Sequence, residues 1–278
     1  MKLSKILAHA ILIVACFASL YPVLWVLKMA FSPGRAFAGS ASPFPTELSL
    51  ENFERVLTTH ASDGTWLFGQ QLVNSVVVSA LTTLVGIVLA TTAAYSFSRF
   101  RFLGRELALS SFLVTQMFPT TMVMIPTYVI LDKMHLLDTW TGLVLVYSTT
   151  ALPFCVFMLK GYFDTIPTDL EEAALIDGAS RPRIFFSVIL PLARPAIAVT
   201  ALFSFMTAWN EFILAATFMA KDTSYTLPVV LRGYVGVKST DWGAFAAGAV
   251  LVSIPVVALF FALEKHLVGG LTQGAVKG

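Results

Sequence analysis

Six apolar segments, each long enough to approach the width of a bilayer, recur along this chain and leave few other ways to fold it. They run over residues 6–31, 72–97, 107–131, 143–159, 196–220 and 244–263. At about 1.5 Å per residue in a helix, each covers roughly 30 Å of hydrocarbon, the fourth only with help from its flanks. Backbone N–H and C=O groups in lipid must be satisfied within the segment, so helices are expected. A barrel would need short segments of alternating polarity instead. The chain is 57% hydrophobic and 12% charged, more apolar surface than a water-soluble domain of this length encloses. The fold expected is an all-α membrane protein: one transmembrane domain of six helices, its solvent largely membrane lipid.

Charge speaks here about topology. The net charge of +2 is spread along the chain rather than gathered in a basic stripe, which argues against nucleic acid as a partner. With the N-terminus inside, most of the Lys and Arg fall on the cytoplasmic side, Arg99, Arg101 and Arg105 foremost. Both termini are then cytoplasmic. Lys2 and Lys5 before an apolar run imitate a secretory signal, but the run over residues 6–31 exceeds a signal core and reads as an uncleaved first span. Cys16 and Cys155 lie far apart, and His9, His60, His135 and His266 are scattered, so neither a disulfide nor a metal site is expected.

The only long inner loop covers residues 161–194, and residues 264–278 form a cytoplasmic tail. Within the loop, Pro167 and then Thr168 with Glu171 three residues on predict a capping box at a helix start, and Gly178 stands where a left-handed cap would end it. A helix of about ten residues does not persist alone in water, so it should dock against something. Small side chains at Ala173 and Ala174 admit another backbone, while Glu172 and Asp177 can anchor donors across an interface. A second helical stretch is expected after Ser180, with Pro182 in its first turn and Pro191 and Pro195 redirecting the chain.

This loop resembles the EAA loop of the permease subunits of ATP-binding-cassette (ABC) importers. The family pattern is Glu-Ala-Ala, three residues, Gly, nine residues, Ile-x-Leu-Pro; here Glu172-Ala173-Ala174, Gly178, Leu190 and Pro191 fall in register, with Val188 in place of Ile. Gln116-Met117-Phe118-Pro119, Lys160-Gly161-Tyr162-Phe163 and the terminal GLTQGAVKG bring the resemblance nearer to the smaller permease subunit of maltose or trehalose systems.

The resemblance implies a type I importer permease whose loop is a coupling helix seated in an ATPase subunit, with Glu171, Glu172, Ala173, Ala174, Asp177, Gly178, Leu190 and Pro191 at that contact. It implies that the tail around Gly270, Leu271, Thr272, Gln273 and Gly274 reaches the ATPase dimer. The outer loop carrying Tyr225, Tyr234 and Trp242 would touch an extracytoplasmic sugar-binding protein. Partners implied are a second, different permease subunit and two ATPase subunits. ATP and Mg would bind on those ATPases, with no cofactor on this chain.

Among the spans, only Lys28 and Glu211 are charged. Lys28 near the outer end is expected to snorkel. Glu211, near the middle of the fifth span, either lines a path or bonds a neighbouring helix. Asn74, Gln116 and Asn210 carry the same two readings. Pro119 and Pro126 predict a kinked third span. The chain has no G-x-x-x-x-G-K-[ST] phosphate loop, so it is not expected to bind nucleotide in that manner. It also lacks G-x-S-x-G and H-E-x-x-H, which leaves a membrane hydrolase unsupported. The competing transport reading is an ion-coupled secondary transporter, for which Glu211 would be the sole intramembrane carboxylate.

Overall fold

A computed structural model describes residues 2–37, 42–236 and 239–274, with backbone alone for 2–4 and 265–274. Among the described residues the structure is helical, the only β pairing being isolated bridges between His60 and Trp66 and between Val235 and Thr240. Helices α1 (Lys2–Phe31), α3 (Leu67–Arg99), α6 (Trp140–Phe163) and α13 (Trp242–Gly274) are each long and apolar enough to cross a membrane. Two further pairs pass the same test as bent units. They are α4 (Arg105–Met117) with α5 (Thr120–Lys133), bent by 100°, and the segment Arg181–Leu192 with α10 (Arg194–Trp209), bent by 77°. The short helices are α2 (Glu51–Leu57), α7 (Asp169–Ile176), α8 (Arg181–Ile184), α9 (Leu190–Leu192), α11 (Ile213–Phe218) and α12 (Leu227–Gly233).

The bends have identifiable causes. Pro119 is the N-cap of α5, in extended backbone after Phe118, so the third apolar segment is two helices rather than one kinked helix. Pro126 stays inside α5. The fifth segment also differs from the continuous helix expected: it stops at Trp209 and resumes at Ile213. Between them Asn210 Nδ2 bonds back to the carbonyl of Met206 at 2.9 Å, and Glu211 accepts from the N–H groups of Leu214 and Ala215 at 2.9 and 3.1 Å. Polar side chains thus take over the backbone groups that the break exposes.

The described residues form two compact units. The first joins residues up to Leu72 with Thr226–Pro255. Its hub is Asn52, fully enclosed, whose Nδ2 donates to the carbonyls of Ser32 at 2.7 Å and Met29 at 3.3 Å and so covers the end of α1. Gly243 must lack a side chain here, since a Cβ would lie 2.4 Å from Asn52 Oδ1 and 2.5 Å from the Gly34 carbonyl. Arg55 bridges Glu51 and Asp241, each at 2.6 Å. Lys28 does not snorkel: it is 3% exposed, donates to the Ser42 carbonyl at 2.7 Å and sits 5.2 Å from the Trp25 ring centre. The carbonyl and the ring face satisfy the ammonium without bulk water.

The second unit, Val73–Tyr225 with the residues from Val256, is built around α6. Phe154 of α6 stacks on Phe203 of α10 at 3.9 Å between ring centres. Toward one end, Ala90, Ala94, Tyr95 and Phe97 of α3, Cys155, Leu159 and Phe163 of α6, and Ile184, Phe185 and Ile189 of the long loop bury one another in a continuous core. This core mounts the loop on the spans. A π-helical stretch, Phe185–Ile189, turns Phe185 and Ile189 into it while Phe186 stays exposed.

Candidate functional site

The loop helix α7 is eight residues long, Asp169–Ile176, two shorter than expected. Its start differs too. Thr168 has helical backbone and makes no side-chain cap, so the capping box does not form. Glu171 instead turns inward, 8% exposed. Its carboxylate accepts from Arg99 Nε through one oxygen and from the Tyr95 hydroxyl at 2.8 Å through the other. Arg99 also donates to the Ile166 carbonyl at 2.9 Å. An enclosed ion pair with Arg99, joined by the Tyr95 hydroxyl, uses both carboxylate oxygens where a local cap would use one.

The helix end is as the sequence suggests. Gly178 has φ +82°, its N–H bonds the Leu175 carbonyl at 3.0 Å, and the Ala179 N–H bonds the Ala174 carbonyl at 3.0 Å. That is a Schellman closure. Beside it, Asp164 accepts from Ser98 at 2.6 Å and from Lys160 at 2.7 Å. Burial alone would raise its carboxyl, but the bonds from Lys160 and Ser98 outweigh this and hold it below the usual range.

Of the residues expected at the ATPase contact, Glu172, Ala173, Asp177 and Gly178 are exposed, and Ala174 is half-buried. Glu171 is buried, its carboxylate accepting from Arg99 and Tyr95. Leu190 and Pro191 are half-buried and begin α9. Three large apolar side chains stand out from α7, Leu170 at 44%, Leu175 at 42% and Ile176 at 87% exposure. These three side chains give the braced short helix a largely apolar exposed face.

Among the span residues singled out, Gln116 and Asn210 are exposed, and Gln116 lines a cavity. Asn74 is 1% exposed, its Nδ2 donating to the carbonyls of Thr223 at 2.8 Å and Tyr225 at 3.0 Å while Oδ1 accepts from Trp140 at 3.0 Å. Asn210 bonds its own helix. Glu211 accepts from the Tyr147 hydroxyl at 2.8 Å and caps α11. Gln116 lines a cavity of about 520 Å³ formed by α4, α5, α6 and Leu214 of α11, at the α4–α5 break.

Of the residues expected to meet a binding protein, Tyr225 lends its carbonyl to Asn74. In the other unit, Tyr234 lends its own to the N–H of Asp241, and burial, then Asp241, pushes its phenol up. Trp242 is half-buried against Phe37, ring centres 5.4 Å apart. Gly270, Leu271, Thr272, Gln273 and Gly274 continue the backbone of α13, while their side chains and residues 275–278 lie outside the described residues.

Sequence reasoning missed Tyr95 and Arg99 as the partners of the loop, and missed the threonines of the cavity. Arg99 ends an apolar span, which marked it only as a topology charge. The hydroxyls near Pro119 and Pro153 were a usable signal, since polar groups beside span prolines often line a cavity.

Broken and continuous candidate spans and a buttressed loop helix are what the comparisons with known proteins have to match. The same fold is found in a bacterial ABC transporter involved in the import of the acidic polysaccharide alginate, with TM-score 0.78 and 23% identity over 95% of this chain and 96% of that one. The chain belongs to the family of binding-protein-dependent transport system inner membrane components, which its residues 82–273 match. It is 39% identical to the galactooligosaccharides transport system permease protein GanQ of Bacillus subtilis, over 93% of this chain and 90% of that one. It is 34% identical to the trehalose transport system permease protein SugB of Mycobacterium tuberculosis, over 94% and 93% respectively. The protein is thus a membrane-embedded permease subunit, and the ion-coupled transporter is not favoured.

Proposed function

We propose that this chain is one permease subunit of an ABC importer for a sugar, with the oligosaccharide and disaccharide systems of its relatives as the reference class. The observation that carries the reading is α7: a short helix, tied to the spans through Glu171 and Arg99, that presents Glu172, Leu175, Ile176 and Asp177 outward. An ATPase groove is the fitting partner for such a knob. Closure of two ATPase subunits on ATP and Mg would push on α7, and the ion pair and the aromatic core behind it would pass the displacement to α3 and α6.

In this reading Glu172, Ala173, Ala174, Asp177 and Gly178 meet the ATPase, Leu190 and Pro191 set the exit of the loop, and Glu171 braces it from within. The tail from Gly270 to Gly274 extends the ATPase contact. A second, related permease subunit completes the pathway, and the outer segments with Tyr225, Tyr234 and Trp242 receive the binding protein. The apolar faces of α4 and α5, with Met117, Met122 and Ile125 exposed, meet that second subunit or lipid. Catalysis of ATP hydrolysis belongs to the partner.

The deciding experiment co-purifies this chain with its neighbouring permease, ATPase and binding protein, and measures ATP hydrolysis in lipid across a panel of sugars. Stimulation by one sugar is expected. A chain that recruits no ATPase overturns the proposal.

A further inference from the structure

We infer that the cavity at the α4–α5 break is a subsite for an uncharged polyhydroxyl ligand, one that donates hydrogen bonds to this subunit. The inference rests on the sugar-importer reading and adds to it a place and a chemical selectivity. At about 520 Å³ the space lies within the roughly 300–1,000 Å³ of small-molecule pockets.

The lining decides what such a space holds, and it contains no charged side chain. Thr115, Thr127, Thr149 and Thr150 each give their hydroxyl proton to a carbonyl of their own helix, at 2.8, 2.7, 2.7 and 2.8 Å. What they turn outward is therefore oxygen lone pairs. Gln116 Nε2 donates across to the Thr150 carbonyl at 3.1 Å, which leaves its Oε1 as a further acceptor. Pro153 lacks the N–H that the Thr149 carbonyl would otherwise receive within α6.

The cavity is thus rich in acceptors and poor in donors. Thr120, whose hydroxyl has no partner among the described residues, and the second Nε2 hydrogen of Gln116 are the exceptions. A carboxylate or phosphate would meet lone pairs and no cation to offset its desolvation. A metal ion would find no carboxylate. A sugar brings several O–H donors, and its apolar ring faces fit the side chains of Phe112 and Phe118 that complete the wall. The backbone is broken at Pro119 on one side and lacks one helix bond at Pro153, inside α6, on the other, and irregular backbone at membrane depth is tolerated where it lines a cavity.

The test uses the complete importer with its binding protein in proteoliposomes, and radiolabelled trehalose, maltotriose and a galactotriose as probes. Thr149→Val and Gln116→Leu are each expected to reduce uptake of the carried sugar about five- to tenfold, the effect of one lost hydrogen bond in a site. Complex yield on purification is the control for folding. Independently of how those variants fold, maleimide labelling of Thr149→Cys should slow severalfold when sugar, binding protein and ATP are present together. A uronate trisaccharide should neither be carried nor protect the cysteine. A wild-type complex that carries none of the three neutral sugars overturns the sugar reading and the subsite with it. One that carries a sugar with uptake undiminished in both variants, or with labelling indifferent to sugar, overturns the subsite alone.

Discussion

Arg99, the last residue of α3, donates to the carboxylate of Glu171, the third residue of α7, with side chains only 9% and 11% exposed. α3 and the loop helix α7 therefore share one enclosed ion pair, which the Tyr95 hydroxyl completes at 2.8 Å. Removing one member of such a pair strands the other, at a cost of about 3–5 kcal/mol where burial is complete. Glu171→Gln should lower the melting temperature of the purified complex and weaken sugar-stimulated ATP hydrolysis while sparing membrane insertion. A double-mutant cycle with Arg99→Met checks the assignment. Additive losses would mean that the two residues do not act together.

Gly178 tests the loop's geometry separately from its charge. Nothing lies within 4 Å of a Cβ built there, so space is free, and the obstacle to substitution is φ +82°. A left-handed residue with a side chain costs about 1–2 kcal/mol, less for Asn. Gly178→Val should therefore loosen the hold on the ATPase more than Gly178→Asn does, as read by the ATPase retained on purification. Equal retention in both would detach the Schellman closure from coupling.

Glu172 is exposed where Glu171 is buried, so reversing its charge should act on the partner alone. Glu172→Lys is expected to leave the melting temperature of the isolated chain within about 0.5 kcal/mol of stability, as for ordinary surface changes. ATPase binding should weaken, more strongly at low salt than at high salt. Salt-independent binding equal to the wild type would remove Glu172 from the interface.

Asp138 closes the turn between α5 and α6 onto the segment after α11. It has φ +59°, its N–H bonds the Phe218 carbonyl at 2.9 Å, and its carboxylate accepts from the Ala220 N–H and Lys221, both at 3.2 Å. Burial alone would raise its carboxyl. The bonds from Ala220, Ser224 and Lys221 prevail and hold it below the ordinary 3.8. A depressed folded value means that the stabilisation is present above the unfolded value and is lost as pH falls through the folded one. Asp138→Asn should melt lower than the wild type at pH 7, with the gap closing below about pH 4. A gap that does not narrow at all as pH falls below about 4 would exclude the ionised carboxylate as its source.

How much of this was legible in the sequence depended on range. The span ends were close: residues 6–31 became Lys2–Phe31 and 143–159 became Trp140–Phe163, because hydropathy reports lipid burial directly. Pro119 and Gly178 signalled their break and cap, each acting through its own backbone. Glu171 did not signal its partner, since Arg99 is 72 residues away and a local cap with Thr168 looked equally good. The break after Trp209 was hidden for a related reason: the apolar run continues through it, and the polar pair Asn210-Glu211 reads the same as a pathway lining or as a helix end. Only the distances to Leu214, Ala215 and Tyr147 separate the two.

Those distances give Glu211 its own prediction. One carboxylate oxygen takes the Tyr147 hydroxyl and the Ala215 N–H, and the other takes the Leu214 N–H, so the side chain works as a cap within the spans. Glu211→Ala removes every one of these acceptors and should cost about 1–2 kcal/mol, the loss of a good N-terminal cap. Glu211→Gln keeps one acceptor oxygen and should retain most of the transport, with only a modest fall in thermal stability. An ion-coupled carrier would respond the other way, since its carboxylate must ionise to work and amide substitution abolishes uptake. Uptake by the Gln variant at pH 6 and pH 8 therefore distinguishes a structural cap from a coupling group. Near-wild-type rates at both values are the expected result, and loss of uptake with intact ATPase binding would reopen the ion-coupled mechanism.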